Sequence, residues 1–584
     1  MADHPKVIKK DIANMAIQPN VVDYDAARAA FNWEKAAEMV DMFDKDHLNI
    51  AYNCVDRHAT GAKANKTALL FVEEEGSTEK YTYKDMQGLT NKFANVLQTE
   101  GVQKGDRVFL FLPSAPERYI AFLGILKLGA IAGTMFAAFQ EDALLDRLGD
   151  SEASVIVTDA TLYPRIKNIQ DRLPKLTKII LVERGAEGEL PAGDGIVHWS
   201  PAMAAASDAF ECAKMAKNDY SYMLYTSGTT GKPKGIVHGH YDIVQAVVTG
   251  KYVLDIQDND VYWCTADLGW VTGVVYGVLA VWGLGGTSLV YAGRFSPDNW
   301  YKVLQDHKVT IWYSAPTAIR MLMGAEVDAK AYDLSSLRHL CSVGEPLNPE
   351  AIWWGLEAFG LPFHDTWWQT ELGSISITNM PAIDVKPGSM GKPLPGIEAA
   401  VIDDAGNVLP AGEQGNLALK ASTVSALMKT VWNNEEKFQS YFVGDWYLSG
   451  DSAVMDTDGY FWFIGRVDDV INTAGERIGP FEVESALVEY PDVIEAAVIG
   501  KPDDVRGEII KAFVVVKDDV EQTDELKEVL KKHVKEHLAG HAYPREIDFI
   551  ERLPKTRSGK IMRRVLKAQE LGLPTGDTST LENY

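Results

Sequence analysis

The segment YTSGTTGKPKG, Tyr225–Gly235, combines glycines, hydroxyl side chains and two lysines in one short stretch. Glycine lets a backbone approach an anion closely, hydroxyls donate hydrogen bonds, and Lys232 and Lys234 can neutralise negative charge. The composition favours a phosphate-binding loop, although a solvated hairpin turn between two strands is the alternative that it leaves open. The P-loop motif G-x-x-x-x-G-K-[ST] does not fit, because Thr226 replaces its first glycine and Pro233 follows the lysine. The segment therefore predicts phosphate chemistry other than that of a P-loop kinase.

Outward from this loop, short apolar strands alternate with helical segments. DRVFLFLP, at 106–113, predicts a strand, and ERYIAFLGILKLG predicts a helix that ends at Gly129 before the extended run AIAGTMF. The same order recurs at SEASVIVTDA, TKIILVE and VTIWYSAPTAIRML. These repeats predict an α/β fold in which helices cover mostly parallel sheets. No G-x-G-x-x-G follows a strand, so the sequence does not support a dinucleotide-binding fold.

The character of the sequence changes near residue 466. A segment with several glycine-containing turns, at about 390–466, predicts a small β-barrel. Beyond Arg466 the order strand, helix, strand, strand, helix predicts a compact α+β unit, with Pro480 in the first turn of its first helix. We therefore predict a large N-terminal domain over residues 1–466 and a small C-terminal domain over residues 467–584.

Charge and cysteine content exclude several classes of protein. The formal net charge is −25, from 57 basic and 82 acidic residues, which argues against binding to nucleic acid or to an anionic membrane surface. The four cysteines form no C-x-x-C pair and favour free thiols in a reducing compartment.

No apolar run near the N-terminus predicts a signal peptide, so we expect a cytoplasmic protein. The uncharged stretch 268–293 is interrupted by glycines and predicts a buried helix followed by a strand rather than a membrane span.

Two polar clusters leave alternatives open. PKTRSGKIMRR, Pro554–Arg564, carries five basic residues and no acid, so it is either a solvated face or an anion site. The glycine beside Lys560 and the two hydroxyls favour the anion site. His238 and His240 could bind a metal, but the sequence offers no third ligand nearby, which favours a structural role.

Six motifs in order resemble the AMP-forming acyl-CoA synthetase superfamily, over about residues 30 to 567. They are YTSGTTGKPKG, SVGEP (342–346), HDTWWQTE (364–371), YLSGD (447–451), GRVDDVINTAGERIGPFEVE (465–484) and PKTRSGK (554–560). HDTWWQTE and FNWEKAAEMVDMF near the N-terminus are most similar to the acetyl-CoA synthetase branch. The resemblance implies that the N-terminal domain is an adenylation domain and that the C-terminal domain is mobile.

The resemblance implies a two-step reaction with small-molecule substrates. Acetate would attack the α-phosphate of ATP, releasing pyrophosphate, and acetyl-AMP would then transfer its acyl group to the thiol of CoA. Activation of propionate, or passage of the acyl group to a different acceptor, is the alternative within the same class, and the sequence leaves the direction of the reaction open. A catalytically silent scaffold would have lost its reactive groups, whereas Lys560, Asp451 and Glu371 are all present.

The resemblance also assigns the nucleotide and metal sites. The catalytic residues would be Lys560 and Arg477, and Glu371 would bind Mg²⁺. The phosphates, adenine and ribose would contact Thr226, Ser227, Gly228, Thr229, Thr230, Lys234, Gly344, Glu345, Pro346, Asp365, Thr366, Trp367, Trp368, Gln369, Thr370, Asp451, Arg466 and Arg477.

The acyl and CoA sites follow from the same resemblance. Trp270, Val271, Thr272, Val343 and Trp368 would enclose a pocket sized for acetate. Thr272, Arg165, Ala474, Gly475 and Lys535 would contact CoA, although Arg165 lacks the second arginine expected nearby, Lys535 replaces an arginine, and Ala474 replaces a serine. Asp468 would be the hinge between the domains, and acetylation of Lys560 would regulate the enzyme. A second metal site near Val488 and Val493, with Tyr490 in place of a histidine, is left open.

Overall fold

The computed structural model describes residues 5–186, 188–227, 233–473, 476–503, 506–538, 542–556, 561–575, 578 and 581; the side chains of Ser227 and Arg477 lie outside the description as well. The helices are α1 Tyr24–Ala30, α2 Trp33–Ala36, α3 Tyr83–Thr99, α4 Pro116–Leu128, α5 Glu141–Ser151, α6 Tyr163–Lys167, α7 Trp199–Ala205, α8 Ile243–Tyr252, α9 Val271–Val274, α10 Ala280–Gly283, α11 Pro297–Asp306, α12 Pro316–Met323, α13 Pro349–Phe359, α14 Glu435–Gln439, α15 Pro480–Val488, α16 Asp524–His537 and α17 Arg563–Leu571.

The strands are β1 His47–Leu48, β2 Thr67–Val72, β3 Thr78–Thr82, β4 Arg107–Phe111, β5 Ile131–Thr134, β6 Val155–Asp159, β7 Lys178–Val182, β8 Ile196–His198, β9 Met215–Ala216, β10 Tyr220–Ser227, β11 Pro233–Gly239, β12 Val261–Cys264, β13 Thr287–Tyr291, β14 Ile311–Ser314, β15 His339–Val343, β16 Phe363–Trp367, β17 Ile377–Thr378, β18 Lys392–Pro393, β19 Ala399–Ile402, β20 Gln414–Lys420, β21 Thr430–Val431, β22 Phe442–Val443, β23 Trp446–Met455, β24 Phe461–Arg466, β25 Ile471–Thr473, β26 Glu476–Ile478, β27 Val493–Asp503, β28 Gly507–Val516 and β29 Glu546–Phe549.

Two large, mostly parallel sheets form the N-terminal part, as the alternating pattern predicts. One has eight strands in the order β21-β11-β10-β5-β4-β6-β7-β8, and the other has nine in the order β18-β17-β16-β15-β14-β12-β13-β2-β3. Local signals place the first predicted unit: Pro116 begins α4, Gly129 ends it with φ +80°, and β4 and β5 then pair in parallel. The predicted α/β class is confirmed.

The segment predicted as a small barrel forms a five-stranded antiparallel sheet. The neighbouring strands are, in spatial order, β19, β20, β23 and β22. Strand β24 pairs with the part of β23 that β22 does not cover. The C-terminal part has its own five-stranded sheet, in which β27 and β28 pair and α15 and α16 pack beside them. A separate small α+β unit is thus present, while the division at residue 466 stays a prediction.

The uncharged stretch 268–293 lies inside the protein. It forms α9, a π-helical turn over Val275–Leu279, α10 and then β13, and most of its apolar side chains are buried. Among the residues that the structure describes, no helix is both long and apolar enough to cross a bilayer. The predicted buried helix followed by a strand is therefore confirmed.

Candidate active site

The ends of two neighbouring strands bring the predicted adenine residues together. Strands β15 and β16 run parallel with Val343 opposite Thr366, so Gly344 and Trp368 follow directly after adjacent strand ends. In parallel sheets, the loops beyond the carboxyl ends are where ligands bind. Gly344 has φ +99°, and a Cβ added there would meet no atom within 4 Å, so its backbone faces open space.

A cavity of ≈ 190 Å³ lies over these strand ends. The predicted nucleotide residues that line it are Gly344, Glu345, Pro346, Asp365, Thr366, Trp367, Trp368, Gln369, Asp451 and Arg466. The C-terminal part closes it through Phe481, Glu484, Val488, Glu495, Ala496, Ile561 and Arg563. Both parts of the chain therefore border the same space.

Asp451 is the buried anion at the base of this cavity, with only 4% of its surface exposed. Its carboxylate accepts hydrogen bonds from Trp367 Nε1 at 2.9 Å, Gln369 Nε2 at 3.1 Å and Arg466 Nη1 at 2.7 Å. Arg466 lies directly opposite on the paired strand β24. Although burial opposes it, the Asp451 carboxylate raises the pKa of Arg466, so this cation is held at the cavity.

Asp365 is a second buried carboxyl of the site. Ser342 donates a hydrogen bond to its Oδ1 at 2.7 Å, from the neighbouring strand. Burial nevertheless raises the pKa of Asp365 to about 7, because a buried carboxylate loses its hydration. At neutral pH this group can therefore act as a hydrogen-bond donor as well as an acceptor.

A relay of side chains connects the predicted phosphate and metal residues. Lys234 Nζ donates to Tyr441 Oη at 2.8 Å, and Tyr441 Oη donates to Glu371 Oε1 at 2.9 Å. Tyr447 stacks on Tyr441 with ring centroids 5.8 Å apart and donates to Gln369 Oε1 at 2.9 Å. Burial lowers the pKa of Lys234, and the Glu371 carboxylate opposes that shift. The phosphate side and the cavity thus share one network.

The described ends of the opening segment lie in two paired strands, while residues 228–232 between them lie outside the description; the sequence left a phosphate loop and a hairpin turn as alternatives. Strands β10 and β11 pair antiparallel, with Thr226 opposite Lys234 and Ser227 opposite Pro233. Thr226 Oγ1 is buried and, within the described part of the chain, has no hydrogen-bond partner. Such an atom costs free energy unless something bonds to it. The buried hydroxyl of Thr226 is therefore compatible with an anion bound beside it.

The predicted acyl wall lies behind Trp368. Its indole packs edge-on against Tyr276, with ring centroids 5.1 Å apart, in the π-helical turn that follows α9. Val271 and Thr272 are buried in α9, and Trp270 just before it packs on Phe136 at 4.8 Å. Val343 is buried at the end of β15. Trp368 therefore borders the cavity over the strand ends on one side and an aromatic wall on the other.

Comparison with known proteins agrees with this geometry. The family model described as AMP-binding enzyme matches residues 55–432, and the model for the AMP-binding enzyme C-terminal domain matches residues 482–560. The chain belongs to the AMP-binding enzyme family. The predicted superfamily is confirmed.

Individual relatives match this AMP-binding enzyme over nearly its whole length. It is 53% identical to an acetyl-coenzyme A synthetase of Bacillus subtilis (strain 168), over 97% of this chain and 98% of the relative. It is 43% identical to an acetyl-coenzyme A synthetase of Methanothrix thermoacetophila, over 92% of this chain and 85% of the relative.

Two solved structures share its fold. An anthranilate CoA ligase in complex with anthranoyl-AMP matches with a TM-score of 0.83 and 32% identity, over 92% of this chain and 99% of that chain. A Brucella canis acyl-CoA synthetase matches with a TM-score of 0.74 and 35% identity, over 94% and 99%.

Several predicted residues of this AMP-binding enzyme lie outside the described part of the chain. They are Gly228, Thr229, Thr230, Ala474, Gly475 and Lys560, together with the side chains of Ser227 and Arg477. Ile561 and Arg563 nevertheless line the cavity, so the chain directly after Lys560 lies at the site.

The remaining predicted CoA and hinge residues have defined surroundings. Arg165 Nη1 donates to the carbonyls of Ala137 and Phe139 at 2.9 and 3.0 Å, which positions a loop. Lys535 is exposed on α16, with Nζ 5.5 Å from the centre of the Tyr543 ring. Asp468 is exposed in the turn between β24 and β25. Their roles stay predictions.

The structure does not support the alternative that His238 and His240 bind a metal. His238 contacts Asp242 Oδ2 and the carbonyl of Thr370, each at 2.8 Å, and His240 Nδ1 accepts from the amide of Ile50 at 3.2 Å. Both rings are buried, which agrees with the structural role that the sequence favoured.

Sequence reasoning missed two ion pairs and a tyrosine at this site. Arg320 donates to Glu345 Oε2 at 2.8 Å, which orients a carboxylate of the cavity wall. Arg563 holds Glu484 in the C-terminal part at 2.8 Å. Tyr441 follows a short polar helix and belongs to no motif, so no local signal marks it. Only the fold brings it to Lys234.

Replacing Tyr441 by phenylalanine tests the relay between Lys234 and Glu371. Hydrogen bonds to charged groups contribute about 1.5–3 kcal/mol each, so we expect ATP-dependent turnover to fall by roughly tenfold or more. The Mg²⁺ concentration needed for half-maximal rate should rise, because Glu371 loses its donor. Tyr460→Phe removes a hydroxyl that bonds to the carbonyl of Asp384 instead and should leave both quantities unchanged. Equal effects of the two substitutions would contradict a role for the relay.

Proposed function

We propose that this AMP-binding enzyme is an acetate:CoA ligase that forms acetyl-AMP from acetate and ATP and then acetyl-CoA, AMP and pyrophosphate. The observation that carries the proposal is the position of Trp368. It lines the cavity and packs edge-on against Tyr276, so in the proposed site its large indole would fill the space that a longer acyl chain needs. The two acetyl-coenzyme A synthetases to which the chain is 53% and 43% identical support the same substrate.

The side chains at the cavity suit the first step. A carboxylate that attacks a phosphate brings two anions together, so the site must supply positive charge and hydrogen-bond donors where charge develops. Lys234 and Arg466 would supply cations near the phosphate and ribose sides, and Thr226 offers a hydroxyl that has no hydrogen-bond partner among the described residues. Lys560 and Arg477 would complete this set. Asp451, which accepts hydrogen bonds from Trp367, Gln369 and Arg466, would also accept hydrogen bonds from the ribose.

Mg²⁺ fits the residues on the phosphate side. Glu371 offers a carboxylate whose Oε1 is oriented by Tyr441, and carboxylate oxygens are preferred ligands of Mg²⁺. When bound, Mg²⁺ would neutralise charge on the phosphate oxygens. We propose Glu371 as the residue that holds it.

The second step needs CoA at the same acyl carbon. Thr272 lies in the acyl wall, and Arg165, Lys535, Ala474 and Gly475 are proposed contacts of CoA. Because Arg165 already donates to two backbone carbonyls, it offers less of its guanidinium to a phosphate than a free arginine would. We therefore expect the CoA phosphates to be held largely by other groups.

Two further parts of the proposal concern regulation and place in the cell. Acetylation of Lys560 would remove the positive charge proposed for the first step and would thus stop that step.

The cysteines Cys54, Cys212, Cys264 and Cys341 are all buried, which supports the predicted reducing, cytoplasmic setting.

The direct test is pyrophosphate–ATP exchange with a panel of short carboxylates, followed by thioester formation after CoA is added. We expect acetate to support the fastest exchange and acetyl-CoA to appear only with CoA present. Faster exchange with propionate or a longer acid would overturn acetate as the substrate. Exchange without thioester formation would overturn CoA as the acceptor.

Replacing Trp368 by glycine tests the pocket. We expect exchange with acetate to fall and exchange with four- to six-carbon acids to rise, because each accommodated methylene is worth roughly 1–3 kcal/mol of discrimination. Trp446→Gly removes an indole from the antiparallel sheet and should leave the chain-length profile unchanged. If the profile of the Trp368 variant also stayed unchanged, Trp368 would not limit the acyl pocket.

A further inference from the structure

A cluster of imidazole and carboxylate groups lies in the C-terminal part, outside the residues assigned to the reaction. His533 and His537 stand one turn apart on α16 and so project from the same face of that helix. Glu489 is the residue directly after the end of α15, which packs against α16. One ligand atom from each of the three residues lies within 4.8 Å of the others.

This spacing is close to that of a metal site. Ligands at about 2.0–2.1 Å from a tetrahedral Zn²⁺ lie roughly 3.4 Å from one another. The three atoms, which lie within 4.8 Å of one another, would have to approach by up to about 1.4 Å to reach that separation. Glu489 and His533 are half-buried, so the surrounding protein restricts their movement. His537 is exposed, so an ion can reach the site from solvent.

The imidazoles are already oriented as metal ligands usually are. His537 Nδ1 donates to the carbonyl of His533 at 2.8 Å, which leaves its Nε2 as the atom for a metal. His533 Nε2 is buried and has no hydrogen-bond partner in the described part of the chain. Tyr490 packs edge-on against the His533 ring at 5.4 Å and fixes its plane. A buried nitrogen without a partner is costly unless something binds it.

The large domain contributes a fourth group. Glu350, in the first turn of α13, lies close enough to Glu489 for the two carboxyl groups to interact across the boundary between the two parts of the chain. Its Oε2 is buried without a hydrogen-bond partner among the described residues. A cation at Glu489 would therefore face carboxyl groups from both domains.

We propose that Glu489, His533 and His537 form a binding site for a divalent transition metal of the Zn²⁺ class, with Glu350 beside it. Two imidazoles and one carboxylate suit Zn²⁺, Co²⁺ and Ni²⁺, whereas Mg²⁺ and Ca²⁺ prefer sites made of oxygen atoms alone. Because Glu350 belongs to the other domain, a bound ion favours the arrangement of domains seen in this structure. The proposal does not depend on the reaction proposed above.

Zn²⁺ binding to the chelator-treated full-length protein, measured calorimetrically without nucleotide, tests the site. We expect one Zn²⁺ per chain, and Co²⁺ in its place should give visible absorption. Loss of even an outer partner weakens metal binding by about 10–100-fold, so His537→Ala and Glu489→Gln should weaken it by at least that much. His537 is exposed, so its replacement leaves the fold intact.

The control is His47→Ala, which removes an exposed histidine beside Asp44 and should not change Zn²⁺ affinity. Unchanged affinity in the His537 and Glu489 variants, an equal loss in the His47 variant, or displacement of Zn²⁺ by millimolar Mg²⁺ would each overturn the site. Glu350→Gln should weaken binding by about tenfold. Full affinity in that variant would overturn the link to the large domain.

Discussion

Replacing Lys560 by alanine is expected to remove most acetyl-AMP formation, with a fall of about 10²–10³ in the rate of acetate-dependent pyrophosphate exchange. A positive charge aimed at the developing charge on phosphorus acts mainly in that step. Conversion of preformed acetyl-AMP to acetyl-CoA should fall far less. The position of Ile561 and Arg563 in the cavity wall supports the proposal that Lys560 acts there.

Lys567→Ala is the matched control for this experiment. Lys567 lies on α17, close to Lys560 in sequence, and contacts Glu508 at 3.4 Å, and neither Lys567 nor Glu508 lines the cavity. Both half-reactions should keep their rates in that variant. If the Lys560 variant lost both half-reactions to the same extent, Lys560 would act in folding or in a step common to both.

Replacing Asp468 by proline is expected to leave pyrophosphate exchange largely intact and to reduce thioester formation by orders of magnitude. Lys560 must approach the α-phosphate in the first step, and CoA must later reach the same acyl carbon, so one packing of the C-terminal domain cannot serve both. A hinge residue changes φ and ψ, whereas proline fixes φ near −65°.

The surroundings of Asp468 suit this experiment. Its side chain is exposed, and the hydrogen bonds of the turn come from the amides of Val467, Asp469 and Val470. Proline at 468 therefore removes none of those bonds. Asp468→Ala removes the carboxylate but leaves φ free, so it should support both half-reactions. Loss of both steps together in a folded proline variant, or of neither, would count against the hinge.

The sequence by itself was sufficient for the family, the fold class and the order of secondary structure. Those features depend on local signals: the short continuous apolar run of β4, the proline and glycine that begin and end α4, and motifs whose residues are close neighbours. The residues after β15 and β16 were predictable for the same reason, since each motif stands at the end of its own strand.

The contacts between distant parts of the chain were decided only by the tertiary structure. Lys234 and Tyr441 are 207 positions apart, and they meet because β21 pairs with β11 and the short chain from β21 through α14 leads to Tyr441. Glu350 meets Glu489 because the C-terminal part docks beside α13. Helix and strand periods report which face of one element is buried, but they carry no information on which other element covers that face. Sheet order and domain packing supply that information, and so they create the tyrosine relay and the proposed metal site.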